Sequence, residues 1–137
     1  MCGIIGIAGL GSTDSTFVKP LETLGLRGPD DSGVIDFPCA KLGHTRLSII
    51  DLHTGHQPMQ DNKKDIAIVF NGEIYNYKEL RKELEQKGHL FVTQSDTEVI
   101  LKSYLEYGEK CPEKLDGQFA FAIWDNERER LFLARDR

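Results

Sequence analysis

The sequence predicts an α+β fold in which two antiparallel sheets carry a pair of helices on the outside. Three observations support this prediction. Short apolar runs such as residues 66–70, rich in β-branched side chains, indicate buried strands. Two segments in the second half of the chain combine a helical spacing of apolar residues with start and stop residues. Residues 119–134 have the alternating pattern of a β-hairpin.

The first half of the chain is expected to supply strands, one short helix and a loop. Residues 3–9 are small and apolar, which indicates a buried strand that another backbone or a ligand approaches closely. Residues 18–26 predict a short helix, weakened by an internal proline and glycine. Residues 27–33 are dense in turn-forming residues and predict an ordered loop. Residues 42–50 predict a further strand.

The two predicted helices begin with polar caps and end at glycines. Residues 76–79 place an Asn three residues before a Glu, close to the capping-box pattern, and Gly88 supplies the stop. Residues 95–98 show the Ser–Glu form of the same pattern, and that helix is expected to end at Gly108. The apolar stripes of the two helices are formed by Tyr77, Leu80 and Leu84 and by Ile100, Leu101, Tyr104 and Leu105.

The last predicted element is the hairpin. Residues 119–124 alternate large and small apolar side chains, residues 125–128 form the turn and residues 131–134 return. The sequence stops at residues 135–137, directly after an apolar strand whose edge and face would need a cover. We therefore expect one domain, residues 1–137, that is truncated at its C-terminus.

Composition and charge argue against several classes of function. With 39% hydrophobic and 28% charged residues, the chain has the ordinary mixture of a folded globular domain. The net charge of −5, with acidic residues spread along the chain, argues against a nucleic-acid partner. No apolar run approaches the ~20 residues that span a bilayer. Because the start also lacks the basic and long apolar regions of a secretory signal, we expect a cytoplasmic protein with no membrane partner.

The three cysteines, Cys2, Cys39 and Cys111, are widely spaced and include no C-x-x-C motif. This pattern argues against a disulfide framework and against a structural zinc site. Cys39 and Cys111 are expected to behave as small apolar residues. Cys2 stands apart because of its position in the chain.

The histidines do not predict a metal site. His53 and His56 have a spacing that metal ligands can show, but no carboxylate or cysteine pattern completes a set. His44 is expected at a strand end and His89 on the surface. The sequence thus predicts no metal ion in this domain.

Cys2 directly follows Met1, and a methionine before so small a residue is the kind of start from which the initiator is removed. Removal would leave Cys2 with a free α-amine beside its own thiol. An α-amine has a pKa of ~7.7–8.0, so it is partly neutral near physiological pH and can act as a general base. One residue would then carry both nucleophile and base. An arbitrary, frayed start is the alternative interpretation.

Further residues fit the needs of an amide-hydrolysing nucleophile. Asn71 and Gly72 follow the predicted strand 66–70, and an Asn amide with a Gly backbone N–H could stabilise an oxyanion; a plain turn is the alternative. Arg46 lies inside an apolar strand, where a guanidinium needs a charged partner such as a substrate carboxylate. Asp96 lies at a helix start, either as a cap or as a partner for an ammonium group.

Seven segments carry a family resemblance when they are taken in order. They are residues 1–4 (Met-Cys-Gly-Ile), 27–30 (Arg-Gly-Pro-Asp), 44–51 with 57–58, 70–76 (Phe-Asn-Gly-Glu-Ile-Tyr-Asn), 95–98, 116–120 and 133–136. Together they resemble the class II glutamine amidotransferase domain, and most closely that of the glutamine-hydrolysing asparagine synthetases. One tripeptide would be weak support, whereas seven segments in the family's order over nearly the whole chain are specific.

The resemblance implies a fold and a catalytic set. The fold would be the N-terminal-nucleophile four-layer αββα sandwich of two antiparallel sheets. Cys2 would be the nucleophile, with its own α-amine as the base. The side chain of Asn71 and the backbone N–H of Gly72 would form the oxyanion hole.

The resemblance also implies how L-glutamine would be held. Arg46 would pair with the α-carboxylate of the substrate. Glu73 and Asp96 would hold its α-ammonium group. The pocket would be lined by the backbone of Leu47, Ser48, Ile49 and Ile50.

The implied reaction splits glutamine into glutamate and ammonia through a thioester. In the resembled family, the ammonia passes to a second domain that uses ATP to amidate aspartate. That synthetase domain is absent from this sequence, so we assign no cofactor to the present domain and expect ATP and Mg²⁺ only in the absent one. A homodimer is left open.

Two alternatives to this interpretation remain. The same glutaminase chemistry could serve another acceptor, such as a sugar phosphate, because the acceptor is chosen in the absent domain. A domain of the same fold could also be a non-catalytic scaffold or binding module. Loss of glutamine hydrolysis on replacing Cys2 by alanine would separate the second alternative from the others.

Overall fold

Two antiparallel sheets lie at the centre of the structure, a computed structural model that describes residues 2–9, 17–47, 55–61, 63 and 65–137. One sheet consists of β1 (Gly3–Ala8), β2 (Asp31–Phe37) and β3 (Ala40–Arg46), in the order β1-β3-β2. The other consists of β4 (Met59–Asp61), β5 (Ile66–Ile74), β6 (Gly117–Asp125) and β7 (Arg130–Arg135), in sequence order. The helices are α1 (Val18–Thr23), α2 (Tyr77–Gln86) and α3 (Asp96–Tyr107), with 3₁₀ helices at Leu24–Leu26 and Gly108–Lys114.

The two sheets face each other through small and apolar side chains. Ala40 and Leu42 of β3 pack in one cluster with Ala67 and Val69 of β5. On the far side of the four-stranded sheet, α3 buries its apolar residues against β5 and β6, and α2 packs onto α3. The short helix α1 lies against β1 and β3. The predicted α+β class of two antiparallel sheets with helices outside is therefore confirmed.

The prediction of a loop at residues 27–33 is wrong in its second half, because β2 begins at Asp31. Aspartate, serine and glycine have weak strand preference by themselves. Here the strand pairs with β3 along its whole length, from Asp31 opposite Arg46 to Phe37 opposite Ala40. Pairing with a buried central strand thus outweighs the local preference for a turn.

The strand predicted at residues 66–70 is longer than expected and runs to Ile74. Asn71 and Gly72 therefore do not follow a strand end. They lie inside β5, where β6 pairs with them. The strand predicted at residues 42–50 is confirmed as β3 as far as Arg46, and residues 48–50 lie outside the described part of the chain.

Helix α3 begins as predicted, although its capping box is not closed. The Ser95 hydroxyl accepts a hydrogen bond from the Thr97 N–H at 3.2 Å. The Glu98 carboxylate turns instead to the preceding loop, where it accepts from the N–H groups of Val92 and Thr93 at 3.0 and 2.7 Å. Glu98 is 3% exposed, so its charge is held inside the protein by these donors.

Helix α2 is confirmed between its predicted ends, but Asn76 does not cap it through its side chain. The Asn76 amide donates to the carbonyl of Lys114 at 2.9 Å, and its oxygen accepts from the N–H of Asp116 at 3.1 Å. The residue therefore joins the start of α2 to the segment before β6. Gly88, with φ of +93°, ends the helix as expected.

The two cysteines expected to be small apolar residues are confirmed as such. Cys111 is fully buried in the core beneath α3, and burial raises the pKa of its thiol to about 12. Cys39 is half-buried and packs against the cluster between the sheets. No helix in the described ranges is long and apolar enough to span a membrane.

The prediction that His44 lies at a strand end is wrong. It lies inside β3, is fully buried, and its Nε2 is 3.1 Å from the carbonyl of Phe70 in the opposite sheet. Its Nδ1 has no hydrogen-bond partner among the described residues. Burial, opposed by the Phe70 carbonyl and reinforced by nearby Arg46, lowers the pKa of His44 from 6.5 to about 4.

We expect acid to destabilise the fold through His44. The unfolded chain takes up a proton near pH 6.5 and the folded chain only near pH 4, so the stabilisation is complete above pH 6.5 and is lost as the pH falls towards 4. A shift of this size is equivalent to ~3 kcal/mol. Urea unfolding between pH 7 and pH 4 measures it, and His44→Gln should show a correspondingly flatter pH profile. Equal slopes for the two proteins would contradict the assignment.

Candidate active site

A pocket of about 380 Å³ opens at one end of the interface between the two sheets. Every predicted site residue in the described part of the chain lines it: Cys2, Arg46, Leu47, Asn71, Gly72, Glu73 and Asp96. Ser48, Ile49 and Ile50 lie outside the described residues. Residues from both sheets and from the start of α3 therefore meet at a single cavity.

The strand period explains why these residues meet. Side chains two apart on a strand share a face. On β3, Arg46 therefore shares the face of Leu42, which packs between the sheets, and on β5 Asn71 shares the face of Val69. Cys2, just before β1, falls on the face of Ile4, which packs against the same cluster. Each inner stripe thus changes from apolar to polar at the same end of the interface.

Cys2 is held through both its side chain and its backbone. The Leu47 N–H donates to the Cys2 sulfur at 3.4 Å, and the thiol lies 3.7 Å from the Leu47 carbonyl oxygen. The Arg27 Nε donates to the carbonyl of Cys2 at 3.3 Å. The thiol is half-buried, so a substrate in the pocket can reach it.

Gly72 occupies a position that only glycine can fill without distortion. Its φ is +152°, and a Cβ atom built there would lie 2.1 Å from the carbonyl oxygen of Gln118. Gly72 is paired with Phe119, whose carbonyl accepts from Asp136 on the β7 side. Two residues paired in an antiparallel ladder direct their backbone N–H and C=O groups either both towards each other or both away from each other. Because the Phe119 carbonyl points away from β5, the Gly72 N–H points away from β6.

The pocket carries opposite charges on buried groups. Arg46 and Asp96 are each 4% exposed. Burial raises the pKa of Asp96 above its ordinary value, while the N–H groups of Ile74 and Thr97 act in the opposite direction. Glu73 lies exposed at the rim and adds to the rise. A zwitterionic ligand would place its carboxylate at the guanidinium and its ammonium at the carboxylate.

Gln57 lines the pocket as well, although the sequence singled it out only as part of a resembling segment. It is 8% exposed, and its side-chain oxygen accepts from the N–H of Phe70 at 2.6 Å. A glutamine next to a proline carries no pattern that predicts such a role. Only the fold reveals it, because the two residues are brought together by the approach of separate segments.

Among the described residues, no cluster of three or more His, Cys, Asp or Glu side chains could hold a metal ion. His53 lies outside the described residues. His56 is 2.6 Å from the carboxylate of Asp31, and this hydrogen bond holds the pKa of Asp31 below its usual range.

Solved structures share this fold. A structure titled as glutamine phosphoribosylpyrophosphate amidotransferase from B. subtilis superimposes with a TM-score of 0.78 at 22% identity, covering 99% of this chain and 37% of that one. A second, titled as the allosteric regulatory enzyme of purine biosynthesis, gives a TM-score of 0.81 at 21% identity with the same coverage. At these identities the likeness shows the fold alone, which is the N-terminal-nucleophile arrangement expected from the sequence.

Sequence comparison identifies the family. Residues 1–137 match the family model described as "Glutamine amidotransferase domain", and the chain belongs to that family. It is 46% identical over 143 residues to asparagine synthetase [glutamine-hydrolyzing] 3 of Bacillus subtilis (strain 168), covering 100% of this chain and 23% of that protein. It is 40% identical over 140 residues to asparagine synthetase [glutamine-hydrolyzing] 2 of Oryza sativa subsp. japonica, covering 99% and 23%. The chain thus spans about a quarter of the length of these relatives.

Proposed function

We propose that this chain hydrolyses the side-chain amide of L-glutamine through a thioester on Cys2. The observation that carries the proposal is that five chemical groups converge on one pocket. A thiol, an Asn amide and a Gly N–H lie at one pocket with a buried Arg and a buried Asp. These are the groups needed to attack an amide, to stabilise its oxyanion and to hold an amino acid by both α-groups.

The first half-reaction forms the thioester. With Met1 removed, the α-amine of Cys2 takes the thiol proton as the sulfur attacks the amide carbon. The carbonyl oxygen becomes an oxyanion, and the Asn71 side chain and the Gly72 N–H donate to it. The tetrahedral intermediate collapses when the C–N bond breaks and the α-ammonium passes its proton to the leaving amine, which releases ammonia.

The second half-reaction regenerates the thiol. The neutral α-amine takes a proton from a water molecule as the water oxygen attacks the thioester carbon. The same oxyanion donors, Asn71 and Gly72, stabilise the second intermediate. The C–S bond then breaks, glutamate leaves, and the sulfur recovers its proton from the α-ammonium of Cys2.

The substrate's α-groups fix its orientation in this proposal. Arg46 binds the α-carboxylate, while Asp96 and Glu73 face the α-ammonium. The backbone of Leu47 lines the pocket, and the proposal extends this lining to Ser48, Ile49 and Ile50. Because the two charged ends are bound on opposite groups, the side-chain amide is left to point towards Cys2.

Replacing Asp96 by asparagine is expected to raise KM for glutamine ~10–100-fold with a smaller change in kcat, because a charge-assisted hydrogen bond is lost. An Asn oxygen can still accept from the Ile74 N–H, which Asp96 does at 3.1 Å, so the fold should be retained. Glu73→Gln, at the exposed rim, should raise KM by less than ~3-fold. Steady-state kinetics on the two variants measures the difference, and equal effects would contradict the assignment of Asp96 as the main ammonium partner.

The ammonia is proposed to serve an ATP-using synthetase domain that makes asparagine. This part of the proposal is supported by relatives named asparagine synthetase [glutamine-hydrolyzing] and by the share of their length that this chain spans. ATP and Mg²⁺ are assigned to that domain, and no cofactor is assigned to this one. A cytoplasmic location fits such a partner.

A glutamine-mimicking diazoketone tests the nucleophile directly. We expect one covalent adduct on the chain, which peptide mapping places on Cys2 and which excess glutamine slows. The intact mass also reports whether Met1 has been removed. Cys39 is the internal control, since it is a half-buried thiol outside the pocket.

Two outcomes would contradict the proposal. Labelling that glutamine does not slow, or that falls on Cys39 instead, would show a reactive thiol without a glutamine site. A chain that has lost Met1 and still forms no adduct would favour the non-catalytic scaffold. Hydrolysis without asparagine formation by a longer parent chain would refute only the acceptor.

A further inference from the structure

Strand β5 extends beyond its neighbour β4. β4 pairs with β5 only at residues 66–68, whereas β6 accompanies β5 as far as Ile74. In an antiparallel ladder, alternate residues direct both backbone polar groups to the same side. Because the backbone N–H and C=O groups of Gly72 point away from β6, those of Phe70 and Ile74, two residues to either side, do so as well. This part of β5 therefore has an edge that no strand among the described residues covers.

Buried side chains replace the missing strand on either side of Gly72. The Gln57 side-chain oxygen accepts from the Phe70 N–H at 2.6 Å, and the Asp96 carboxylate accepts from the Ile74 N–H at 3.1 Å. These two side chains are 8% and 4% exposed. The alternation therefore places the Gly72 N–H at the pocket, between two N–H groups that already have acceptors.

The Phe70 peptide is held on its carbonyl side as well. His44 Nε2 lies 3.1 Å from the Phe70 oxygen, so side chains from two segments grip both polar groups of this residue. Gln57 itself is fixed, since its amide donates to the Thr97 hydroxyl at 3.3 Å. The backbone of Gly33 packs so close that a Cβ there would lie 2.3 Å from the Gln57 carbonyl oxygen. The Phe70 backbone is therefore fixed by Gln57 and His44, and Gln57 is itself fixed by Thr97 and by the close packing of Gly33.

We propose that Gln57 is a positioning residue for the oxyanion hole. By accepting from Phe70, it keeps β5 straight beyond the end of β4, so that the next outward N–H, that of Gly72, meets the substrate oxygen. The proposal rests on the proposed hydrolysis of glutamine. Without Gln57 the Phe70 N–H would be a buried donor lacking an acceptor, and the strand would shift to find one. A misplacement of ~1 Å can cost ~10²-fold in rate.

Two substitutions of Gln57 test this role. Gln57→Met keeps the length of the side chain and removes the acceptor, and we expect kcat for glutamine hydrolysis to fall ~10–100-fold with KM within ~3-fold of wild type. Gln57→Glu, in its protonated form, can accept from Phe70 and donate to Thr97, so it should restore kcat to within ~5-fold of wild type. A purely structural role would not give this split or this rescue.

Amide hydrogen exchange supplies a readout that does not depend on turnover. In Gln57→Met the Phe70 amide should exchange at least ~10-fold faster than in wild type, because its acceptor is gone. Asn126→Ala is the matched control, since Asn126 donates to Asp65 at 2.6 Å at the other end of β5. It should lower the melting temperature without changing kcat or the exchange of Phe70.

The outcomes separate the two levels of the proposal. An unchanged kcat in Gln57→Met, a failure of Gln57→Glu to restore it, or unchanged Phe70 exchange would each overturn the positioning role. A wild-type chain that neither hydrolyses glutamine nor reacts with the diazoketone would instead refute the proposed function, together with the positioning role that rests on it. In that case accelerated Phe70 exchange would still show that Gln57 holds the strand.

Discussion

Replacing Cys2 by alanine is expected to lower kcat for glutamine hydrolysis by at least ~10⁴-fold, because the thioester can no longer form. The fold should survive, since the hydrogen-bond contacts of the sulfur with the described residues, both to Leu47, are long, at 3.4 and 3.7 Å. We expect the free energy of unfolding to change by less than ~1 kcal/mol. The rate of glutamate release measures the fall in kcat, and the intact mass and melting temperature of the same protein verify that the variant is folded.

The matched control for this prediction is Cys39→Ala. Cys39 is half-buried in the cluster between the sheets and does not line the pocket, so this variant should retain wild-type turnover. If Cys2→Ala kept a tenth or more of the wild-type rate, the nucleophile would have to be sought elsewhere. Equal losses in the two variants would point to damage to the fold and not to the chemistry.

Replacing Gly72 by alanine is expected to destabilise the protein by at least ~3 kcal/mol and to abolish measurable turnover. The new Cβ would face the Gln118 carbonyl oxygen at 2.1 Å and the Phe119 Cα at 2.7 Å, and neither backbone can move without opening the β5–β6 ladder. The φ of +152° adds strain for any residue with a side chain. Any shift that relieves the clash also moves the proposed oxyanion donor.

Gly88→Ala separates the two causes of the expected loss of stability, which are the clash of the new Cβ and the strain of a positive φ. Gly88 also has a positive φ, +93°, but a Cβ there would meet nothing within 4 Å. It should cost only ~1–2 kcal/mol in urea unfolding and leave kcat unchanged. Similar losses of stability for Gly72→Ala and Gly88→Ala would show that the contact with Gln118 is relieved cheaply, contrary to our expectation.

Local sequence patterns predict the fold class and single out part of the pocket, namely Cys2, Arg46, Asn71, Gly72 and Asp96. Leu47 and Glu73 are predicted only by the family resemblance. Buried strands and capped helices have their own periodicities. An Arg in an apolar strand is anomalous unless it has a charged partner, and Arg46 does lie buried at the pocket. Cys2 was singled out by its position next to Met1, and Asn71 and Gly72 by their amide and N–H groups.

Features that depend on pairing between distant segments could not be predicted in this way. Residues 27–33 contain turn formers, and only the ladder with β3 makes the last of them a strand. His44 is predicted at a strand end, yet it lies buried inside β3, next to the Phe70 carbonyl of the other sheet. Asn76 fits a helix cap locally, but its side chain bonds to residues some forty positions later. In each case a tertiary partner overrides the local preference.

The start of α3 has a consequence for which amino acids could react. Glu98 accepts from three donors of residues 92 and 93, and Asp96, in the same first turn of α3, accepts from the Ile74 N–H. At the far side of the pocket, the Leu47 N–H and Arg27 fix Cys2 in the same way. In the proposed function, the group that anchors the substrate, Asp96, and the nucleophile, Cys2, are therefore held at a fixed separation. This separation selects substrates by the length of their side chain. The amide of asparagine, which is one methylene shorter than that of glutamine, would lie ~1 Å beyond attack distance, and its rate of hydrolysis would be ~10²-fold lower.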